Sequence, residues 1–494
     1  MPFKIGNLIK GKYCQAASKE TIKSLNPADA RDVVGIVPAS GPRDVDAAVA
    51  AAKNAFPAWS TTPAPKRAEI IYRAAEAILK DKTRLGRLVT REMGKILPEG
   101  LGDVQEAVDM AYYMAGEGRR MSGQTVPSEL ADKDCKSVRV PVGVFALITP
   151  WNFPTAIPAW KIFPALVAGN TVVLKPSSLT PVCAAMLADI VNRAGLPPGV
   201  LNIVHGPGET TGTYLAAHHG IDGISFTGSS AVGHRIATLA LANHKEYSCE
   251  MGGKNPIIVM DDANLDQAVK GALWGAFGTT GQRCTAASRL IVHTKIYARF
   301  ISSFVKAAKK LKLGDGLRGA DVGPLISLDQ MKKVLAYIEI GKKEGARVLF
   351  GGNRAATGAL KNGNFISPTA FTDVKPDMRI AQEEIFGPVV SILKAETFKD
   401  AIAKANGVDY GLSSAIYTQN VNNCAIAERD LDTGIVYINA PTIGAEIQLP
   451  FGGFKKSGFG RKEAGGRGGA LDTFTRWKVV YRDFSGALQK AQID

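Results

Sequence analysis

The stretch NTVVLKPSSLTPVCAAMLADIVNRAGLPPGVLNIVHG, residues 170–206, decides the fold class. It begins with the short apolar run NTVVLKP and ends with a second one, VLNIVHG. Between them, PVCAAMLADIVNRAG carries apolar residues at helical spacing. Two short apolar runs joined by a helix are typical of parallel strands with a crossover connection. The stretch therefore predicts a doubly wound parallel sheet whose two faces are covered by helices.

The same alternation extends on both sides of this stretch. Further strands are predicted at VGVFALITP, GISFTG and NPIIVM, and a second α/β region with SRLIVH, GPVVSIL and GIVYIN follows. We expect the first hundred residues to be mostly helical, because PKRAEIIYRAAEAILK and its neighbours show helical periodicity. The segments 119–140 and TRWKVVYRDF are expected to be extended. The sequence thus predicts two α/β domains and a separate extended element.

Length, charge and cysteine content narrow the class of protein. The chain has 494 residues, too many for one ordinary core, and a formal net charge of +15. The basic residues are dispersed without a nucleic-acid-binding signature, so we expect anionic small molecules rather than nucleic acid as partners. No apolar run is long enough to cross a bilayer and the N-terminus lacks a leader's apolar core, so a cytoplasmic protein without a membrane partner is expected. The six cysteines form no CxxC pair, and no cluster has the spacing of a metal site.

Cys284 is the candidate nucleophile. It lies in FGTTGQRCTAASRL, a turn rich in Gly and Thr that precedes a predicted strand. Small neighbours leave room for a substrate, and we expect Arg283 to favour the thiolate, which is the nucleophilic form. A lone cysteine is more often a small buried hydrophobic residue, and this alternative stays open at this point.

Two further polar residues fit a reaction at a carbonyl group. Glu250 is followed by two glycines in CEMGGKNPIIV, and burial would raise its pKa and suit it to act as a general base. Asn152 follows a predicted strand in TPWNFP, and its amide could donate to an oxyanion. Taken singly, a solvated glutamate and a turn asparagine are equally good interpretations.

Two strand ends are candidate sites for a phosphate-bearing cofactor. In FTGSSAVGHRI, Gly228 and Ser229 lie between an apolar strand and a helix, whose free N–H groups suit a pyrophosphate. In TVVLKPSS, Lys175, Ser177 and Ser178 follow the end of another strand, where open α/β sheets bind ligands. A structural turn and a surface lysine are the alternatives.

Seven motifs, taken together, resemble those of the aldehyde dehydrogenase superfamily over almost the whole chain: TPWNFP, LKPSS, FTGSSAVG, EMGGKNP, GQRCT, EEIFGPV and LPFGGFKKSG. The resemblance implies a Rossmann-like cofactor domain, an α/β catalytic domain and a small β oligomerisation arm. We expect the cofactor domain at 1–118 and 141–251, the catalytic domain at 252–455, and the arm at 119–140 and 470–494. The resemblance also implies a homodimer or homotetramer that uses NAD or NADP and no metal.

The resemblance further implies roles for individual residues. Cys284 matches the catalytic thiol, Glu250 the base that activates the hydrolytic water, and Asn152 the oxyanion donor. The implied reaction oxidises an aldehyde to a carboxylic acid through a thiohemiacetal and a thioester on Cys284. The implied cofactor contacts are Trp151, Lys175, Ser177, Ser178, Gly208, Phe226, Thr227, Gly228, Ser229, Val232, Met251, Gly252, Glu384 and Phe386.

The chain departs from the family pattern at two positions. Many relatives that prefer NAD carry a Glu where this chain has Ser178, and a carboxylate there would repel a 2′-phosphate. Because Ser178 removes that repulsion and Lys175 adds attraction, we expect NADP to be accepted or preferred. In FGRKEAGG, Lys462 stands where many relatives have a Glu, and Glu463 follows. This shift leaves a proton-relay role for Glu463 in doubt.

The substrate is expected to be an acidic semialdehyde. The likeness is greatest to members that oxidise α-ketoglutaric semialdehyde (2,5-dioxopentanoate), through REMGKILPEG, YYMAGEGRR, WNFPTAIPAWK and NAPTIGAEIQLPFGG. We expect Arg283 and the main-chain N–H groups of Gly444 and Ala445 to bind its far carboxylate; alternatively, Arg283 tunes Cys284 or packs outward. The rival functions are a dehydrogenase for another semialdehyde or of broad specificity, a coenzyme-A-acylating dehydrogenase, which Glu250 disfavours, and a non-catalytic binding protein.

Overall fold

The computed structural model describes residues 1–490 and 492 and confirms the predicted α/β class. The strands of the first half are β1 (Phe3–Lys4), β2 (Asn7–Ile9), β3 (Lys12–Cys14), β4 (Thr21–Asn26), β5 (Asp29–Pro38), β6 (Gln124–Val126), β7 (Lys133–Pro141), β8 (Val144–Ile148), β9 (Thr171–Lys175), β10 (Leu201–Ile203), β11 (Gly223–Thr227) and β12 (Glu246–Glu250). Those of the second half are β13 (Asn255–Val259), β14 (Ala287–His293), β15 (Arg347–Phe350), β16 (Thr369–Thr372), β17 (Val389–Ala395), β18 (Tyr410–Gly411), β19 (Ser413–Tyr417), β20 (Ile435–Ile438), β21 (Phe454–Lys455), β22 (Gly458–Gly460) and β23 (Thr475–Asp483).

The helices cover both large sheets. They are α1 (Pro42–Thr61), α2 (Ala64–Lys80), α3 (Lys82–Met93), α4 (Leu97–Glu117), α5 (Ala156–Val167), α6 (Pro181–Arg193), α7 (Thr213–Ala217), α8 (Ser230–Ala242), α9 (Leu265–Phe277), α10 (Tyr297–Ala308), α11 (Leu328–Lys343), α12 (Arg379–Gln382), α13 (Phe398–Asn406), α14 (Val421–Asp430) and α15 (Ala470–Thr473). Within the described residues, none of these helices has both the length and the apolar character that crossing a bilayer requires.

The first large sheet has eight strands in the order β22-β12-β11-β8-β9-β10-β2-β3. Its five central strands, β12 to β10, are parallel, whereas β22 and β2 pair antiparallel at the two sides. The quoted stretch forms β9, α6 and β10, and every residue of β9 is buried, as continuous apolar strands of a doubly wound sheet should be. Ligands bind such sheets at the carboxyl ends of the parallel strands, so those ends locate the site.

The second large sheet has seven strands in the order β15-β16-β17-β14-β13-β19-β20. All neighbours are parallel except β15, which pairs antiparallel with β16. The segment 251–254 connects β12 of the first sheet directly to β13 of the second. The two sheets therefore approach each other just after Glu250.

A third, antiparallel sheet consists of β23, β7 and β6 and stands apart from the two large ones. Its outer face exposes Trp477, Val479 and Tyr481. This sheet includes the central part of each segment of the predicted arm, 124–126 and 133–140 of the first and 475–483 of the second. Residues 491, 493 and 494 of the arm lie outside the described part of the chain. The domain boundaries proposed from the sequence stay predictions.

The first hundred residues are mostly helical, as expected, in α1 to α3 and the start of α4, but two parts of the chain differ from what the sequence suggested. Residues 3–38 are not helical but form β1 to β5, and the first helix begins at Pro42. The sequence also gave no sign of β12, whose residues EYSCE include no apolar run. Parallel pairing with β11 and antiparallel pairing with β22 bury its last three residues, so tertiary context overrides composition.

Candidate active site

Cys284 lies where two cavities meet. The first, of about 630 Å³, opens along the carboxyl ends of the parallel strands of the first sheet. The second, of about 570 Å³, lies on the other side of the thiol. Both are lined by Ile157, Thr227, Met251 and Cys284. One sulfur atom therefore faces both a cofactor-sized cleft and a separate chamber.

The loop that carries Cys284 is held in a strained conformation. Thr279 and Thr280 have φ values of 51° and 59°, which are unusual for β-branched residues. The Thr279 N–H donates to Oε1 of Glu99 on α4 at 2.7 Å. At Gly281, where φ is 67°, a side chain would collide with the carbonyl of Gly387. Strain of this kind persists only where its surroundings hold it, and here Glu99 does so.

Burial raises the pKa of the Cys284 thiol to about 12, and the carboxylates of Glu384, Glu250 and Glu463 contribute. The expectation that Arg283 favours the thiolate is therefore wrong. The guanidinium of Arg283 is engaged elsewhere, since its Nε donates to Thr279 Oγ1 at 2.8 Å. In this state of the protein, Cys284 is a neutral thiol at physiological pH.

Arg283 borders the second cavity together with Gly444 and Ala445, so the three predicted substrate anchors lie around one chamber. Its Nη2 is 3.5 Å from Glu99 Oε1, at the weak end of an ion pair. The guanidinium also lies over the ring of Phe153, at 5.2 Å from the centroid. Arg283 thus packs inward, which excludes the alternative that it packs outward.

Glu250 ends β12 and is 2% exposed. Its Oε2 accepts a hydrogen bond from the N–H of Gly453 at 3.1 Å. Burial, followed by the nearby charge of Glu463, raises the pKa of Glu250 well above its usual range, in the direction expected from the sequence. Glu250 lines the second cavity with Cys284, so a proton acceptor and a nucleophile share one chamber.

Glu463, whose role the sequence left in doubt, lies in the same chamber and is buried. Its Oε1 forms an ion pair with Lys161 Nζ and accepts from Thr227 Oγ1 at 2.9 Å. Lys161, itself buried, also donates to Ser225 Oγ at 2.8 Å. These contacts join Glu463, Lys161, Thr227 and Ser225 into one polar cluster, and its Glu463 lines the same chamber as Glu250.

Asn152 follows β8 and lines the first cavity beside Cys284. It is 3% exposed, and its Nδ2 donates to the carbonyl of Gln282 at 3.1 Å. Because Gln282 precedes Cys284 by two residues, this bond ties the amide to the thiol-bearing loop. The placement suits a donor to an oxygen that develops charge next to the sulfur.

Most of the predicted cofactor contacts come together in the first cavity. Those that line it are Trp151, Thr227, Gly228, Ser229, Met251, Gly252, Glu384 and Phe386. Those that do not are Lys175, Ser177, Ser178, Gly208, Phe226 and Val232, although Lys175 ends β9 and Phe226 lies in β11, beside the same sheet edge. Gln330 and Lys333 of α11 also line it and were missed, because nothing in an ordinary amphipathic helix marks the face that meets a cleft.

Groups at and beside the cleft suit a phosphate-bearing cofactor. Ser229 caps α8 without using its side chain, so its hydroxyl and the first-turn N–H groups are available to a phosphate. A side chain at Gly252 would collide with Glu384, whose Oε1 accepts from the N–H of Gly253 at 3.0 Å. Lys175 is buried, which lowers its pKa to about 8, and its Nζ donates to the carbonyl of Pro176. Within the described residues, no group of three potential ligands could hold a metal ion.

Glu106 of α4 also borders the second cavity. It was missed in the sequence because it belongs to no recognisable motif. Its helical neighbours are charged too, with Asp103 and Glu99 one and two turns away. A signal was present in this spacing, because acidic residues at 99, 103 and 106 share one helix face. Analysis of helical periodicity assigns a row of acidic residues to the solvent-exposed face of a helix, so it does not reveal that this row faces the Cys284 loop.

Comparison with known proteins agrees with this geometry. The model of the aldehyde dehydrogenase family matches residues 13–480. The α-ketoglutaric semialdehyde dehydrogenase of Bacillus subtilis (strain 168) is 43% identical over 96% of this chain and 97% of its own length. The 2,5-dioxopentanoate dehydrogenase of Saccharolobus solfataricus is 39% identical over 95% of this chain and 98% of its own. The crystal structure of Staphylococcus aureus betaine aldehyde dehydrogenase in complex with NAD+ superposes with a TM-score of 0.95, at 34% identity, and covers 98% of this chain and 95% of that chain.

Proposed function

Because the chain belongs to the aldehyde dehydrogenase family, we propose that it oxidises an acidic semialdehyde such as 2,5-dioxopentanoate to the carboxylic acid with NAD or NADP. The observation that carries the proposal is the position of Cys284 between two cavities. A nucleophile placed there can add to the carbonyl carbon of a substrate in the second cavity. The first cavity is then left to the cofactor.

The first step is addition of the Cys284 sulfur to the aldehyde carbon, which gives a thiohemiacetal. Since the thiol is protonated, its proton must leave as the bond forms, and Glu250 in the same chamber is the acceptor within reach. The amide of Asn152 and the backbone N–H of Cys284 stabilise the oxyanion. When bound, the nicotinamide accepts the hydride that converts the adduct to a thioester.

Hydrolysis of the thioester requires that Glu250 act as a proton acceptor for a second time. Once the first proton has left Glu250, its carboxylate takes a proton from the attacking water, which adds to the thioester carbon and releases the acid. That proton then returns to the departing sulfur and restores the thiol. The raised pKa of Glu250 matches this task better than that of an ordinary carboxylate. We propose that Glu463 and Lys161 carry the proton onward, because they are linked by an ion pair behind Glu250.

We propose that NADP is accepted as well as NAD. Ser178 leaves the end of β9 free of a carboxylate that would repel a 2′-phosphate. Lys175, although buried, is the cation that ends the same strand. The NAD+ complex of the S. aureus relative supports the common NAD(P) chemistry and leaves the preference between them to measurement.

The acidic substrate is supported by the names of two relatives and by the second cavity. Arg283 provides a cation there, and Gly444 and Ala445 border the same space. A substrate carboxylate in this chamber would therefore share it with Arg283 while the carbonyl carbon contacts Cys284.

A cationic aldehyde is the second candidate, and one observation favours it. Glu106 lines the same chamber, and an ionised carboxylate there would attract an ammonium group. The structurally similar S. aureus protein is named for betaine aldehyde.

A panel of aldehydes separates these functions. We expect 2,5-dioxopentanoate to have the highest kcat/KM among it, succinic semialdehyde, betaine aldehyde and pentanal, each assayed with NAD and with NADP by absorbance of the reduced nicotinamide. A higher kcat/KM for betaine aldehyde would favour the second candidate. Product analysis with and without coenzyme A excludes or establishes the acylating reaction.

We also propose that the chain forms a homo-oligomer through the sheet of β23, β7 and β6. The exposed Trp477, Val479 and Tyr481 on one face of that sheet support this, because apolar faces of this size are rarely left in water. Sedimentation of the purified protein distinguishes a dimer from a tetramer. The cytoplasmic location stays a prediction.

A further inference from the structure

The second cavity contains a carboxyl group that none of the proposed steps uses. Glu106 extends from α4 into the space bordered by Arg283, Gly444, Ala445 and Cys284. Within residues 1–490 and 492, its side chain has no hydrogen bond and no ion pair. A carboxyl group facing a substrate chamber without a partner is available to the substrate itself.

The nearest cations do not neutralise Glu106. Lys95 is committed to Asp103, whose Oδ2 accepts from its Nζ at 2.8 Å in a pair with no exposed side-chain surface. Arg283 donates to Thr279 and leans towards Glu99. The two basic groups nearest Glu106 therefore already interact with other residues, Lys95 with Asp103 and Arg283 with Thr279 and Glu99.

The remaining charged and titratable neighbours favour a neutral Glu106. Asp103 and Asp109 lie on its own helix, and Glu250 and Glu463 line the same chamber. On β20, the Tyr437 hydroxyl has no hydrogen-bond partner among the described residues. Burial, with the charge of Glu106 as a smaller cause, raises the pKa of Tyr437 to about 12. Burial, followed by Asp103, raises the pKa of Glu106 itself to about 7, while Arg283 and Lys95 oppose the shift.

We propose that Glu106 is a specificity-determining residue whose protonated carboxyl donates a hydrogen bond to the far oxygens of an acidic semialdehyde, beside Arg283. This inference rests on the proposed function and defines its substrate site more closely. The ionised form repels the same substrate and suits a cationic aldehyde. Binding of an acidic semialdehyde is therefore coupled to uptake of a proton by Glu106.

The sign of the pH effect follows from this coupling. Below about pH 7, Glu106 is mainly neutral and can donate to the anionic substrate. Above about pH 7 it is mainly ionised, so binding of the substrate requires that Glu106 first take up a proton. Titration of Cys284 affects all aldehydes alike, because its addition to the carbonyl carbon is common to them. The informative quantity is therefore the ratio of KM for 2,5-dioxopentanoate to KM for pentanal, an uncharged aldehyde of the same chain length.

We expect this ratio in the wild-type protein to rise by up to about tenfold between pH 6 and pH 8, the limit for one group with a pKa near 7. In Glu106→Gln, which keeps the shape and a donor but cannot ionise, the ratio should stay constant. The matched control is Glu428→Gln, an exposed carboxylate on α14 outside the second cavity, and it should keep the wild-type rise. A constant ratio in the wild type, or an undiminished rise in Glu106→Gln, would overturn the inference.

Proton uptake provides a readout that needs no turnover. Titration calorimetry of Cys284→Ala with 2,5-dioxopentanoate at pH 7, in buffers of different ionisation enthalpy, should show about half a proton taken up per site. The uptake should vanish in Cys284→Ala/Glu106→Gln, and equal uptake in both proteins would overturn the inference. Absence of turnover by the wild type with any aldehyde would refute the proposed function instead, and calorimetry would then still decide the role of Glu106.

Discussion

The state of the Cys284 thiol provides a quantitative test of the site. Its pKa is raised from the ordinary value of 9.0 to about 12, with burial as the largest cause and Glu384 as the largest charge. This difference corresponds to about 4 kcal/mol against the thiolate, since one pH unit is about 1.4 kcal/mol. At pH 8 the ionised fraction should be about 10⁻⁴, where an ordinary thiol would have about a tenth.

The assay is alkylation by iodoacetamide in the absence of cofactor, followed peptide by peptide with mass spectrometry so that the other five cysteines do not interfere. The rate at Cys284 should rise about tenfold per pH unit from pH 6 to pH 10 without a plateau. Glu384→Gln removes one negative charge and should raise the rate at every pH, whereas Glu428→Gln, exposed and remote, should leave it unchanged. A plateau with a midpoint below pH 8 would refute the reasoning and restore Arg283 as an activator of the thiol.

Three further perturbations test separate parts of the structure. Asn152→Ala should lower kcat by about 10²–10³ while the protein still binds cofactor, measured by steady-state kinetics and by quenching of protein fluorescence; an unchanged kcat would exclude an oxyanion role. Asp103→Ala leaves Lys95 buried without its partner and should lower the free energy of unfolding by about 3–5 kcal/mol in a urea titration. Ser178→Glu should lower kcat/KM for NADP by about tenfold or more and spare NAD, because a carboxylate there would face the 2′-phosphate; equal losses with both cofactors would contradict this placement.

The parts of the fold that sequence predicts well are those where burial is continuous. Every residue of β9 and β10 is buried and most of them are apolar, and an amphipathic helix lies between, so their pattern has one interpretation. β12 could not be found this way, because its buried residues are Ser248, Cys249 and Glu250 and the sheet, not their polarity, buries them. The short strands before Pro42 failed for a related reason, since two or three residues carry no periodicity.

For the site, the motifs indicated which residues lie around Cys284 but did not predict the charges that act on its thiol. Arg283 precedes Cys284 in the chain, and proximity in sequence suggested activation. In the structure Thr279 and Glu99 engage the guanidinium, and the carboxylates nearest the sulfur come from distant segments. The charge that a thiol experiences depends on which strands and helices meet around it, and a local sequence window does not contain that information.

The central claim is that Cys284 forms a covalent bond with the aldehyde and that water then breaks it with help from Glu250. The most direct measurement is mass spectrometry of Glu250→Gln, quenched after mixing with 2,5-dioxopentanoate and NADP, with Cys284→Ala treated in parallel. One acyl group should be found on the peptide that contains Cys284, and none in the alanine variant. Normal turnover by Cys284→Ala, or an acyl group on any other residue, would contradict it.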